Sequence, residues 1–363
     1  MSENFTTTSN LNVSCDICSL GNDTAIDKPI PSIITALERF NYGYLPFVFI
    51  LGCLGNALTI FVMRSKKFSS NTCSLAILAL ALSDTTLLFC QPFNKAFFIK
   101  LVGIDVRSLS SVGCKIYYVI RRTPKMCSSW FIVYLCFEKF MSIWFPLKVK
   151  SLITKRFVNA YIIIVVVVLL AFTSGWSYAS DVDPVSGKCQ PDLYDRKDPQ
   201  SVSTWRRMLG SGVTLYAIVP MIILLIFTPM ILFKLARQGQ KFESSAYLKK
   251  SSRITAMLLL IVISYIILIL PISLVHILAT YLGIKSFGDS KLDFTIFKEI
   301  AQILEQLNYS INFILYFLSS SHFREGLREI CCPSKTNMNL GPKGTVDKSK
   351  RRFQLSSKSS NQE

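Results

Sequence analysis

The amino-acid sequence predicts an all-α membrane protein, a seven-transmembrane helix bundle followed by a short cytoplasmic amphipathic helix. Two observations predict this fold class. Long apolar runs recur along the chain, several of them about the ~20 residues that cross a ~30 Å hydrocarbon core. Basic residues gather in alternate gaps between these runs, as they do in the cytoplasmic loops of membrane proteins. The mean hydropathy of +0.41 agrees with the prediction.

Seven apolar runs are expected to span the membrane. One of them, beginning at Tyr161, reads YIIIVVVVLLA without a polar break, which would be exceptional in a soluble helix. The predicted spans cover residues 44–63, 73–98, 114–139, 157–179, 212–235, 254–282 and 297–318.

The remaining segments divide into an arm, a helix and a tail. Residues 1–43 form a polar arm whose first 30 residues lack the apolar core of a cleavable signal peptide, so the first span is expected to direct insertion. The bundle covers 44–318, and the amphipathic helix covers 319–332. The Ser- and Lys-rich tail at 333–363 is expected to be disordered.

The distribution of charge predicts the orientation. The gaps after the first, third and fifth spans carry Lys and Arg with almost no acid, whereas 180–211 contains both signs in equal number. The positive-inside rule therefore places these three loops and the C-terminus in the cytoplasm and the N-terminus outside, which requires an odd number of spans. The net charge of +18 is then explained by topology and not by a nucleic-acid partner.

Sites of covalent modification agree with this orientation. Three glycosylation sequons begin at Asn4, Asn12 and Asn22, all before the first span, where glycosylation requires lumenal exposure. Cys331 and Cys332 end the amphipathic segment, where palmitoylation is expected, the alternative being a pair of free thiols.

Enzymatic and metal-binding functions are not supported. The chain has 11 cysteines but no pair of CxxC sequences that would indicate structural zinc. It has 2 histidines and no nucleophile with a paired base, so no catalytic site can be proposed. Cysteines within apolar runs are expected to be inert small hydrophobic residues; these are Cys53, Cys73, Cys90, Cys127 and Cys136.

Individual residues at characteristic places suggest a family. They are Gly55 and Asn56 in the first span, LALSD ending at Asp84 in the second, Cys114 and Glu138–Phe140 at the two ends of the third, Pro146 after it, Pro220 and Pro271 in the fifth and sixth, and NYSINFILY ending at Tyr316 in the seventh. In order and spacing, this set resembles the rhodopsin-like (class A) G-protein-coupled receptors over nearly all of 44–332. NYSINFILY is similar to a variant found in invertebrate FMRFamide-like and myosuppressin-like neuropeptide receptors.

The resemblance implies a plasma-membrane receptor for an extracellular ligand, with a neuropeptide favoured, acting on a heterotrimeric G protein within the lipid bilayer. It also implies a disulfide between Cys114 and Cys189, whereas the pairing of Cys15 and Cys18 is left open. Within the family a buried sodium ion is surrounded by positions that correspond here to Asp84, Ser128, Asn308 and Asn312. The alternative to sodium is a water-filled polar network.

The outer half of the third span carries three cations, Arg121, Arg122 and Lys125. By resemblance this part of the helix lines the ligand cavity. Buried cations need partners, and Glu305 can form an internal ion pair with one of them. We hypothesise that the remaining positive charge receives an acidic group of the ligand. Four further polar residues are candidate cavity members, namely Gln91, Asn94, His276 and Gln302.

Two better-known ligand classes are disfavoured. Amine receptors resemble one another in carrying an Asp where this chain has Arg121. Opsins carry the retinal lysine where this chain has Gln306, so a photopigment is not expected.

The resemblance assigns coupling and activation to Glu138, Lys139, Phe140, Pro146, Pro271 and Tyr316. Lys139 stands where the family usually has Arg, and it lacks the planar fork of that side chain. Three further departures are Thr228 for Tyr, Ile269 for Trp and Phe313 for Pro. They place the efficiency of G-protein activation in doubt, but not the fold.

Three alternatives to a peptide receptor are kept open: a receptor for a small acidic ligand, a weakly signalling or decoy receptor, and an ion channel or transporter. Transporters often show repeated halves or matching interrupted helices. The sequence has neither, so the third alternative is the most distant.

Overall fold

The chain folds into a series of long helices. The structure, a computed structural model, describes residues 32–90, 103–190, 208, 210–239, 246–281 and 291–331. The long helices are α1 (Ser32–Arg64), α2 (Thr72–Cys90), α3 (Ser111–Trp144), α5 (Lys155–Ala179), α6 (Val219–Gly239), α7 (Ala246–Tyr281) and α8 (Lys291–Ser319). Two short helices, α4 (Pro146–Leu152) and α9 (Ser321–Cys331), follow α3 and α8.

The long helices form the predicted membrane bundle. Within the described residues, 6 helices are long and apolar enough to cross a membrane, the fifth of them running from Gly210 into α6. The seventh, α8, has 29 residues but carries charged side chains in its first half. Large apolar residues face outward, as on α5, where Ile163 and Ile164 are 61% and 60% exposed. This arrangement confirms the predicted fold class.

Helix α3 occupies the centre of the bundle. It packs against α2, α5, α6 and α7, while α8 packs against α1 and α7. Phe131, Ile132 and Leu135 of α3 are almost completely buried. The central position of α3 means that side chains from its different faces reach several neighbouring helices.

We call the side of the bundle that is predicted to be extracellular the outer side. The outer segment of the fifth span contains a π-helical turn, Thr214–Ile218, immediately before α6. A π-turn leaves carbonyl groups without their regular helical partners. The indole Nε1 of Trp130 on α3 donates to the Leu215 carbonyl at 3.1 Å. Pro220 lies two residues after the end of the turn, and a second proline, Pro229, lies further inside α6.

A small hairpin and a disulfide organise the outer end of α3. The hairpin pairs β1 (Asp181–Val182) antiparallel with β2 (Cys189–Gln190) and is an addition to the all-α prediction. The predicted disulfide between Cys114 and Cys189 is present, with the two Cα atoms 5.6 Å apart. The first turn of α3 is capped by Ser110, whose side chain accepts from the Gly113 amide.

The loop before α3 contains a buried ion pair between Asp105 and Arg107. The guanidinium donates to both carboxylate oxygens at 2.7 Å and lies 5.4 Å from the centre of the Tyr117 ring. Burial alone would raise the pKa of the Asp105 carboxyl, but the hydrogen bonds and charge of Arg107 outweigh burial and lower it. The pair therefore fixes the loop beside the disulfide.

The helices extend beyond the predicted apolar spans. Helix α1 begins at Ser32, within the segment predicted to be a polar arm, and α8 begins at Lys291, before the predicted start at 297. Backbone hydrogen bonding continues into polar outer turns, whereas hydropathy reports only the apolar part of a helix. The predicted ends of the second and sixth spans, at 98 and 282, lie outside the described residues.

Candidate functional site

A cluster of four polar side chains lies between three helical segments in the outer half of the bundle. Lys125 of α3 forms an ion pair with Glu305 of α8, with Nζ 2.5 Å from Oε1. The hydroxyl of Tyr216, in the π-helical turn, donates to the same oxygen at 2.7 Å. The hydroxyl of Tyr309, also on α8, donates to it at 3.1 Å. We call these four residues the Glu305 cluster.

The positions of these residues follow from local structure. Glu305 and Tyr309 are four residues apart and therefore share one face of α8. The Lys125 ammonium also lies 4.3 Å from the centre of the Tyr216 ring, a favourable arrangement for a cation and an aromatic face. One carboxylate oxygen thus joins α3, the π-helical turn and α8.

The cluster is deep but not sealed. The side chains of Lys125 and Glu305 are 23% and 12% exposed. Lys125 lies 14 residues after Ser111, the first residue of α3, which corresponds to about 21 Å along a helix. A ligand entering from this end of α3 must reach far into the bundle to touch the cluster.

The other predicted ligand residues occupy different places. The guanidinium of Arg122 lies 5.5 Å from the centre of the Tyr118 ring, and Arg121 is partly buried on the same helix. His276 of α7 lies edge-on to Tyr216, with ring centres 6.5 Å apart. Gln302 lies on α8, partly buried. Gln91 and Asn94 fall outside the described residues.

Sequence reasoning missed Tyr216 and Tyr309. The position of Tyr309 one turn after Glu305 was an available signal, since residues four apart meet on a helix face. Tyr216 had no comparable signal, because its orientation depends on the π-helical turn.

The predicted sodium residues converge in the middle of the bundle. Asp84 is fully buried and accepts from Ser128 Oγ and Asn312 Nδ2, each at 2.7 Å. Asn308 lies four residues before Asn312 on α8 and is also buried. Its Nδ2 has no hydrogen-bond partner in the described part of the chain. A carboxylate with hydroxyl and amide oxygens is a suitable donor set for a hard cation. The residues therefore fit a sodium ion, and sodium binding stays a prediction.

The inner end of α3 is held by neutral donors. Glu138 is buried, and its Oε1 accepts from the Thr72 hydroxyl at 2.5 Å and the Cys73 thiol at 3.0 Å, both at the start of α2. No ion pair joins Glu138 to Lys139 among the residues that the structure describes. Glu138, the acid of the triplet Glu138–Phe140, is thus hydrogen-bonded to α2.

Aromatic rings fill the inner halves of the bundle. Phe140 stacks on Phe227 of α6, with centres 4.7 Å apart and planes at 10°. Tyr316 is buried against Phe323 of α9, with ring centres 5.6 Å apart. Pro146 is the first residue of α4, and Pro271 lies inside α7. These are the places of the predicted coupling residues; their roles stay predictions.

The modification sites are described only in part. Cys331 is an exposed free thiol at the end of α9. Lys67, between α1 and α2, forms ion pairs with Glu325 and Glu329 of α9, at 3.0 and 3.3 Å. Cys332, the three sequons, Cys15 and Cys18 lie outside the described residues.

A seven-helix membrane bundle with an outer disulfide, an interior acid and a charged cluster open to its outer half has the architecture of a transmembrane receptor. The chain matches the family described as 7 transmembrane receptor (rhodopsin family) over residues 55–316, and it belongs to that family. The family is one of receptors and not of enzymes, which confirms the prediction that the chain is not an enzyme.

Curated relatives are similar over most of their length. The galanin receptor 2b of Danio rerio is 25% identical over 302 residues, covering 80% of this chain and 75% of the relative. The growth hormone secretagogue receptor type 1 of Mus musculus is 25% identical over 323 residues, covering 85% and 83%. The allatostatin-A receptor of Bombyx mori is 22% identical over 333 residues, covering 88% and 86%.

Proposed function

We propose that this multi-pass membrane protein is a plasma-membrane receptor for an extracellular peptide and that it activates a heterotrimeric G protein. The charge distribution of the loops supports an extracellular N-terminus. A neuropeptide is the favoured ligand, since the relatives named above are receptors for galanin, growth hormone secretagogues and allatostatin-A.

The observation that carries the proposal is the Glu305 cluster. Four polar side chains from α3, the π-helical turn and α8 meet in the outer half of the bundle, where the two charged partners keep partial exposure. Removing one partner of a largely buried ion pair costs about 3–5 kcal/mol. A ligand that alters these contacts therefore changes the relative stability of alternative arrangements of the three segments by an amount large enough to shift their populations.

Signalling follows as a population shift. A ligand favours the active conformation only by binding it more tightly than the inactive one. Pro271 in α7 and Pro220 after the π-helical turn are places where the helices can bend. The basic inner loops and Lys139 would form the docking face for the G protein.

Weak signalling is a second candidate, favoured by the inner end of α3. Lys139 provides a point charge in place of a planar fork. Its neighbour Glu138 is occupied by Thr72 and Cys73. A receptor that binds its ligand but couples poorly would have these features.

The test is a calcium-reporter screen of cells expressing the receptor with a promiscuous G-protein α subunit, against a neuropeptide library. Matched cells express Lys139→Arg, and surface labelling checks that both forms reach the plasma membrane. A saturable response in the native receptor supports the main proposal. A response in Lys139→Arg alone supports weak coupling. Silence of both forms at normal surface levels overturns the peptide-receptor proposal.

A further inference from the structure

The three donors of the Glu305 cluster all bind one oxygen of the carboxylate. Lys125, Tyr216 and Tyr309 converge on Oε1. If Lys125 moved away, both tyrosine hydroxyls would still donate to the carboxylate. Glu305 would therefore keep two hydrogen bonds, so the desolvation cost of its buried charge would be partly offset.

Lys125 is in a different situation. Among the residues that the structure describes, Glu305 is the only carboxylate within ion-pair distance of its ammonium. The Tyr216 ring supports the cation from one side but supplies no negative charge. Because a buried ammonium without an anion is costly, Lys125 can leave Glu305 only when another anion replaces it.

The surrounding charge selects the sign of the incoming group. Arg121 and Arg122 lie on the same stretch of α3, within one turn of Lys125. A cationic ligand group approaching Glu305 would be repelled by these positive side chains. An anionic group would be attracted by all three, and the low local dielectric strengthens this preference.

We propose that the ligand carries an acidic group, a carboxylate or a sulfate, that takes Lys125 from Glu305 while Tyr216 and Tyr309 retain the Glu305 carboxylate. This inference rests on the proposed function and gives the chemical class of the ligand. Because Lys125 lies about 21 Å along α3, the acidic group belongs at or near an end of the peptide. The exchange loosens the link between α3 and α8, while Lys125 gains a new anion and the Glu305 carboxylate keeps its two tyrosine hydrogen bonds.

The experiment uses pairs of peptides that differ only in one acidic group, Asp or Glu against Asn or Gln, and a free against an amidated C-terminus. Each pair is tested in the calcium assay on the native receptor, Lys125→Met, Lys125→Arg and Glu305→Gln, at matched surface expression. The acidic member of an active pair is expected to be at least about tenfold more potent on the native receptor. This difference should disappear in Lys125→Met and be kept in Lys125→Arg.

Glu305→Gln separates exchange from simple contact. It frees Lys125 from its competitor, so the potency of the acidic peptide should rise severalfold, whereas a ligand cation bound by Glu305 would lose potency. A double variant, Tyr216→Phe with Tyr309→Phe, should lower potency because Glu305 then depends on Lys125.

If the neutral member of an active pair is as potent as the acidic member, the acidic-ligand inference is overturned and the proposal of a peptide receptor stands. A gain in potency when the acidic group of the peptide is neutralised also overturns it. If no pair activates either the native or the Lys139→Arg receptor, the proposed function fails and this inference fails with it. A response to free dicarboxylates alone, such as glutamate, likewise overturns the peptide ligand.

Discussion

Phe313 of α8 lies directly against Gly55 of α1. A Cβ atom built on Gly55 would stand 2.8 Å from the Cβ of Phe313, closer than real side chains approach. The Phe313 ring also contacts Phe323 of α9, with ring centres 5.8 Å apart. The residue that replaces the usual proline of the seventh helix thus packs α1, α8 and α9 together, and it needs a glycine opposite.

Gly55→Ala is therefore expected to destabilise the receptor by about 1–3 kcal/mol, the usual cost of overpacking a filled interface. The measurement is the thermal unfolding temperature of the purified protein in detergent. Gly43→Ala is the matched control, because nothing lies within 4 Å of a Cβ at that helical position. Alanine there should stabilise the helix slightly. Equal behaviour of the two variants would contradict the packing argument.

Thr72→Val should loosen the inner end of α3. It removes the hydroxyl that donates to the buried Glu138 carboxylate, leaving the Cys73 thiol as its remaining donor among the described residues. We expect a loss of about 1–3 kcal/mol in the free energy of unfolding and a rise in ligand-independent signalling, measured with the calcium reporter.

Ser142→Ala is the control for this prediction, since Ser142 binds the Glu138 backbone carbonyl and not its carboxylate. A Thr72→Val receptor with native stability and native basal signalling would show that the contact with α2 does not restrain α3.

Sodium should stabilise the native receptor, and Asp84→Asn should remove the effect. The Asp84 carboxylate, with the oxygens of Ser128, Asn308 and Asn312, would hold the ion. Thermal unfolding is compared in sodium chloride and in choline chloride at equal ionic strength. If the native receptor unfolds at the same temperature in both salts, the four residues form a polar network without an ion.

The outer loop should lose stability in acid through Asp105. Its carboxyl has a lowered pKa in the folded protein because the hydrogen bonds and charge of Arg107 outweigh its burial. Its contribution to stability is therefore present above the unfolded value near 4 and is lost as the pH falls through the lower, folded value. Asp105→Asn should be less stable at pH 7 and should approach the native protein in stability as the medium is acidified.

The readout is unfolding temperature against pH for the two proteins. A constant difference across the acidic range would mean that the carboxylate charge of Asp105 does not contribute to stability.

Much of the fold could be predicted from sequence because apolar length and loop charge are direct consequences of the membrane. The disulfide between Cys114 and Cys189 was implied by the family resemblance. The pairing of Glu305 with a cation of α3 was also within reach, because buried cations need partners. Helix ends were not, because the polar outer turns of α1 and α8 carry no hydropathy signal.

The missing parts of the site depend on contacts between distant helices. Thr72 and Cys73 are small side chains with no pattern that marks them as partners of Glu138, 66 and 65 residues away. The contact of Phe313 with Gly55 is likewise visible only when α1 and α8 are placed side by side.

The π-helical turn at Thr214–Ile218 sets the rotational phase of the fifth span. One extra residue in a turn rotates everything beyond it by about 100° about the helix axis, because an α-helix has about 3.6 residues per turn. In the segment before Pro220, the residues that face the bundle are therefore not those that a regular α-helix would turn toward it. The indole of Trp130, by occupying the Leu215 carbonyl, helps to keep this offset in place. Deleting a single residue from the turn would leave the composition of the site unchanged and yet swing the phenol of Tyr216 away from Glu305.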